Sequence, residues 1–184
     1  MCDGLTEEEL LSRKFMRIAV DGCTGVVVET TPMWAYTIGL KQSFDHPEVV
    51  ITGRLAEHLL GHAVGQVRDG GRFDVTSPAL EVCDCGPVRF GPVHPSEWER
   101  GRFDEWLKYY AWVGGEAPAR EALQLLWSDR QGRFPPDPDF CCAPALECQP
   151  LLDGVPRHNV NTGSNREQRR RAKYGHGKRS RGQP

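Results

Sequence analysis

The amino-acid sequence predicts a single α+β domain, a central and mostly antiparallel sheet packed by helices, followed by a basic C-terminal tail. Two adjacent runs carry the sheet. Trp34-Ala35-Tyr36-Thr37-Ile38-Gly39-Leu40 and His46-Pro47-Glu48-Val49-Val50-Ile51-Thr52-Gly53 are rich in β-branched and aromatic residues and are bounded by turn residues. Helix-spaced apolar residues flank the strands on both sides, giving the order helix, three strands, helix. Charge then divides the chain. Residues 165–184 hold eight Lys or Arg against one acid, a balance of +7, whereas the remainder holds 15 basic and 24 acidic residues, a balance of −9. The predicted organisation is a domain over residues 1–153, then a linker and basic tail over 154–184.

In chain order, Thr6 and Glu9 have capping-box spacing, and Leu10, Leu11, Phe15 and Ile18 predict a helix from about Glu7 to Ala19, ended by Asp21-Gly22. Val26, Val27 and Val28 in succession predict that Thr24 to Thr30 is a strand buried on both faces. A short polar loop joins the two central strands. After them, Leu55, Leu59, Ala63, Val64 and Val67 keep helical spacing until Asp69-Gly70-Gly71. Arg72 to Val75, Leu80 to Val82 and Val88 to Val93 read as short strands, of a meander or of the wall of a small split-barrel-like sheet. Ser96 is placed to cap a helix carrying Trp98, Phe103, Trp106, Leu107 and Tyr110, which Gly114-Gly115 closes. Ala122 to Trp127 reads as the last core strand, with a short helix as the alternative, and enters a turn over Asp129 to Pro136. Pro135 to Pro156 reads as irregular chain wrapped over the domain.

With 184 residues, 39% apolar and 26% charged, the chain is long enough for one sizeable core. No stretch approaches the roughly 20 apolar residues of a membrane-spanning helix, so no membrane partner is expected. The acidic start from Asp3 to Glu9 lacks the basic and apolar runs of a secretory signal, and a cytoplasmic setting is expected. Seven cysteines, an odd number, argue against a disulfide scaffold. The chain carries no nucleophile elbow, phosphate loop or dinucleotide glycine signature, which argues against several common enzyme classes without excluding catalysis.

Polar groups inside the central runs are the first site candidates, because each needs a partner once buried. His46 and Glu48 flank Pro47 on extended chain, pointing to the same side. Such a pair suits a shared proton or a ligand's hydroxyl or amide; the alternative is a turn-capping histidine and a glutamate paired with an arginine. Tyr36, Thr37 and Gly39 either line a pocket or pack the sheet. Arg130, Arg133 and the turn amides after Asp129 offer an anion site or a plain hairpin turn. His58 and His62, spaced i and i+4, suit two zinc ligands, with His94, Cys83 or Cys85 as a third. Cys83, Cys85, Cys141, Cys142 and Cys148 are further thiolate candidates, but their spacings match no usual ribbon or finger and no metal is assigned. In the tail, Arg166, Arg169, Arg170, Arg171 and Lys173 would neutralise phosphates with little base discrimination, from a short helix over Asn165 to Tyr174 or from solvated chain.

The two central runs, together with Gln124-Leu125-Leu126-Trp127-Ser128-Asp129-Arg130-Gln131-Gly132-Arg133-Phe134-Pro135, resemble a bacterial family, the domain of unknown function numbered 4262. The resemblance covers roughly Leu5 to Phe140 and leaves the basic tail outside. It implies that Tyr36, Thr37, Gly39, His46, Glu48, Gln124, Asp129, Gly132 and Phe134 match positions of the family motif. Family members often open with two closely spaced cysteines and carry a tryptophan after the Phe-Pro; here Cys2 stands alone near the start and Pro136 takes the aromatic's place. The order of elements is also similar, in topology alone, to the split-barrel flavin-binding proteins.

Two functions are expected from these readings. One is a cytoplasmic protein binding a small molecule, such as a flavin or nucleotide, through Tyr36, Thr37, Gly39, His46, Glu48, Gln124, Asp129 and Arg133, with no reaction assigned. The other is an interaction module whose body binds protein and whose tail binds nucleic acid or a ribonucleoprotein.

Overall fold

The computed structural model describes residues 5–30, 32–53, 56–81, 86–135, 137, 139–140 and 149–155. All its regular elements belong to one unit, Met1–Gly154; of the other, Val155–Pro184, only Val155 is described. The tail arginines and lysine, and Cys83, Cys85, Cys141, Cys142 and Cys148, lie outside the described residues.

Helix α1 (Glu7–Asp21) begins where the Thr6 hydroxyl accepts the Glu9 N–H at 3.2 Å and the Glu9 carboxylate accepts the Thr6 N–H at 2.7 Å. This reciprocal pair satisfies two otherwise unpaired donors of the first turn. Thr6→Ala is therefore expected to cost about 1 kcal/mol, read as a lower urea midpoint at unchanged slope. Strands β1 (Thr24–Val28) and β2 (Trp34–Ile38) follow, then the short helix α2 (Leu40–Phe44), strand β3 (Glu48–Thr52) and helix α3 (Ala56–Arg68). The predicted order holds through this third of the chain, with the loop between the central strands closed into α2. Strands β4 (Leu80–Glu81) and β5 (Pro87–Pro92), helices α4 (Ser96–Glu99) and α5 (Asp104–Val113) and strand β6 (Ala122–Trp127) complete the elements among the described residues.

The six strands form one sheet in the order β1-β2-β3-β6-β5-β4. Strand β6 runs parallel to β3, with Val50 opposite Gln124, and the other pairs are antiparallel. Among the described residues the sheet is open, with β1 and β4 as its edges, and the barrel-like closure allowed by the middle of the chain is not formed. Helices cover both faces. Val49, Ile51 and Leu125 pack with Leu59, Ala63 and Val67 of α3 on one side. On the other, Tyr36, Ile38 and Val50 pack with Leu11 and Ile18 of α1 and with Trp106 of α5. Coverage on both faces explains why β2 and β3 are buried at every position and read as continuous apolar runs.

Four further expectations are corrected. The valine run is not buried on both faces: β1 lies at the sheet edge, where burial alternates and Val27 remains 42% exposed. Arg72 to Val75 forms no strand, because the Asp74 carboxylate takes the Thr76 N–H at 2.7 Å and the Ser77 hydroxyl takes the Asp74 N–H at 2.9 Å, a side-chain-closed turn. The single helix expected after Ser96 is two, broken at Gly101, whose φ of 77° no helix accommodates. Ser96 is the first helical residue rather than the cap. Among the described residues, no helix is long and apolar enough to cross a membrane.

Candidate functional site

The sequence-predicted residues divide into one constellation and several separate fittings. At the centre is Glu48, the first residue of β3, fully buried although it is a carboxylate. The Thr37 hydroxyl donates to its Oε2 at 2.6 Å, and the main-chain N–H groups of Gly39 and Leu40 donate at 2.9 and 3.3 Å. The Trp106 indole N–H reaches Oε1 at 3.4 Å. Thr37 is fixed in turn by accepting the Val49 N–H at 2.9 Å. Glu48 thus ties β2, the start of α2, β3 and α5 to one group. Burial pushes its carboxyl up to about 7, against the four donors, which favour the charged form.

Gly39 makes this arrangement possible. Its φ is 107°, a conformation that side chains other than glycine's rarely adopt, and a Cβ there would lie 2.8 Å from the Gly22 carbonyl oxygen and 3.2 Å from Cys23 Cα. The end of α1 therefore packs directly on the β2–α2 junction. Cys23 is buried beside it, its thiol pushed up to about 11 by burial and by the charge of Glu48, so it is held as an uncharged thiol.

The other predicted residues are each engaged elsewhere. The Tyr36 hydroxyl accepts the Glu105 N–H at 3.2 Å while its ring packs between Trp34 and Phe103; burial raises its phenol. His46 does not pair with Glu48. Its Nδ1 donates to the Pro47 carbonyl at 2.7 Å and its Nε2 accepts the Phe73 N–H at 3.2 Å, which fixes a neutral ring whose pKa burial lowers. The Gln124 amide donates to the Pro150 carbonyl and accepts the Leu152 N–H, both at 2.8 Å, fastening the segment after the family motif to β6. Asp129 accepts the N–H groups of Gln131 and Arg133 at 2.9 Å and both Nε and Nη2 of Arg133, closing the predicted turn. Arg89 lies 4.5 Å over the Phe134 ring. The exposed rings of His58 and His62 stand 4.7 Å apart on α3, and His94 bonds the Ser96 hydroxyl. Among the described residues, no three His, Cys, Asp or Glu side chains gather as a ligand set.

An accessible hollow borders Cys23. It is a groove of about 260 Å³ between the end of α1, the edge strand β1 and α3, with Cys23, Gly25, Leu60 and Gly61 among its lining. Arg17, Asp21, Glu57 and Arg68 bring charge of both signs to it, Arg68 reaching Asp21 at 3.7 Å. Gly25 and Gly61 keep it open. Neither has a positive φ, and a Cβ on Gly61 would meet nothing within 4 Å, while one on Gly25 would touch only Leu60 at 3.8 Å. The sequence reading missed this groove; the signal that could have found it is Gly25, a glycine inside the valine-rich strand, with α3 forming the other wall.

The family model for Domain of unknown function (DUF4262) matches residues 17–141. The chain belongs to that family. The DUF4262 match begins inside α1 and takes in all six strands, so it holds both the Glu48 constellation and the groove, and it ends before the 149–155 segment that Gln124 fastens. No curated protein and no solved structure matches the chain.

Proposed function

We propose that this DUF4262 chain is an interaction module whose body takes up an extended segment of protein along β1. The observation that carries the reading is an edge strand without a neighbour among the described residues, set beside an open groove. Strand addition needs free main-chain groups on an edge and room for alternate side chains beside it, and β1 with Gly25 and the groove offers both. The strand Thr24-Gly25-Val26-Val27-Val28 has none of the lysines, prolines or inward charges that usually blunt an edge. The motif groups around Glu48 then serve as the frame that holds β1 and α1 in place. The basic tail supplies a second contact, to nucleic acid or a ribonucleoprotein, through the charge of Arg166, Arg169, Arg170, Arg171 and Lys173. A cytoplasmic setting fits the odd cysteine count.

The test is amide NMR with valine-rich nonapeptides added to the full chain. Shifts concentrated at Gly25 to Glu29 and Leu60 to Arg68, and lost in Val27→Lys, are expected; no peptide-induced shift in β1 of a chain that is monomeric at the working concentration defeats the reading. For the tail, steeply salt-dependent RNA or DNA binding that disappears on truncation after Gly163 is expected.

A small-molecule role has its own support in the same groove, where Arg17 makes no ion pair among the described residues and Leu60 and Val64 supply apolar wall. At about 260 Å³ the hollow sits just below the ~300 Å³ at which clefts for drug-sized ligands begin, which favours a ligand smaller than a flavin nucleotide. Native mass spectrometry of the purified chain, compared with Gly61→Leu, separates this role from strand addition by the presence of a small bound mass.

A further inference from the structure

We infer that the segment received by β1 is β1 of a second copy of this chain, paired antiparallel about a twofold axis through Val26; this rests on the strand-addition reading. Strand β1 has five residues, and only a register centred on Val26 overlaps all five. In that register Thr24 faces the second copy's Val28, and Gly25 faces the second copy's Val27. The exposed large residue of the edge therefore stands opposite its exposed glycine, and the same contact repeats across the axis, as an isologous interface requires.

The side-chain parity of β1 supports the fit. Cys23 belongs to the core on the α3 side and Gly25 approaches Leu60, whereas Val26 belongs to the opposite core. Val27 shares the parity of Gly25. Each copy's Val27 accordingly enters the other's groove over Gly25, in the space beside Leu60 and Gly61. The exposed Glu29 leaves the strand, at the turn where the Thr30 N–H bonds back to the Val28 carbonyl at 2.9 Å, near the second copy's Cys23 and a groove wall whose Arg17 makes no ion pair among the described residues and whose Arg68 is shared with Asp21. The joined sheets become one twelve-stranded sheet with both α3 helices on the same face; the two β1 edges are removed and β4 is the edge at either end.

The test is sedimentation velocity and native mass spectrometry of the full chain across a concentration series. A concentration-dependent dimer is expected, reduced to monomer by Gly25→Val, which sets two valines against each other, and by Val27→Lys. The thermal melt of each monomer should still be cooperative. The exchange Gly25→Val with Val27→Gly restores the opposition of large to small and is expected to recover the dimer; Glu29→Arg should weaken it, and Arg68→Glu added to Glu29→Arg should recover it. A chain that stays monomeric, or a dimer indifferent to residues 25 and 27, overturns self-pairing. A monomer that nonetheless takes up a foreign valine-rich peptide at β1 overturns this inference alone and leaves strand addition standing, whereas a chain that does neither overturns both.

Discussion

Glu48→Ala is expected to cost about 3–5 kcal/mol of folding stability, the largest effect of any single polar substitution in the domain. It removes the acceptor for Thr37, Gly39, Leu40 and Trp106 at once and leaves a void between β2, β3 and α5. Glu48→Gln preserves the volume and turns an amide N–H toward donors, so a smaller loss of about 1–3 kcal/mol is expected. The two variants separate lost packing from lost acceptors in urea denaturation. The parent also carries a pH signature. Below 4.5 the carboxyl is neutral whether folded or not; between 4.5 and about 7 the unfolded chain releases a proton that the folded chain keeps. Its contribution is thus fully present at low pH and lost as pH rises through about 7. His46 acts in the opposite sense, because burial holds it neutral while the unfolded histidine charges below 6.5. The measurement is therefore the difference between parent and Glu48→Gln across pH 4.5–8. The parent's advantage should shrink as pH rises, and an advantage that is flat across this range would refute the raised carboxyl.

Gly39→Ala is expected to destabilise by about 2–4 kcal/mol, combining a left-handed backbone with a methyl group pressed against main chain. The Gly22 oxygen at 2.8 Å cannot rotate away as a side chain would, so α1 must shift from the β2–α2 junction. Gly61→Ala supplies the opposite sign. It sits inside α3 with open space around its Cβ, and the same methyl group should stabilise by about 0.5–1 kcal/mol. Parallel denaturation of the two variants checks both. Equal effects would show that neither position is distinguished by its surroundings.

The parts of the fold that were legible in sequence are those where local signals and tertiary burial agree. Thr6 with Glu9 announced α1, and Trp34 to Ile38 and Glu48 to Thr52 announced the inner strands, because a strand covered on both faces is apolar throughout. The same rule misread Val26 to Val28, since an edge strand with valines has the composition of an inner one; its neighbour count is not written in its own residues. Asp74 defeated a strand reading through a side-chain hydrogen bond, a competition that hydropathy does not register. For the site, a glutamate inside an apolar run was legible as needing partners, and Thr37 and Gly39 were near enough in sequence to be named with it. Trp106 was read only as core, being 58 positions away, and Gln149, whose amide pairs both main-chain groups of Trp127, gave no sign of doing so. The grouping of Tyr36, His46, Gln124 and Asp129 with Glu48 followed from motif order, whereas each of their polar groups is spent on a different part of the backbone.

The position of β6 has a consequence for synthesis. Strand β6, made after β3 and β5, is inserted between them, so the chain synthesised as far as β5 presents two interior edges with nothing yet to join them. Assembly of the sheet must wait for Ala122 to Trp127, and until then the nascent chain is at its most vulnerable to association with its neighbours on the polysome.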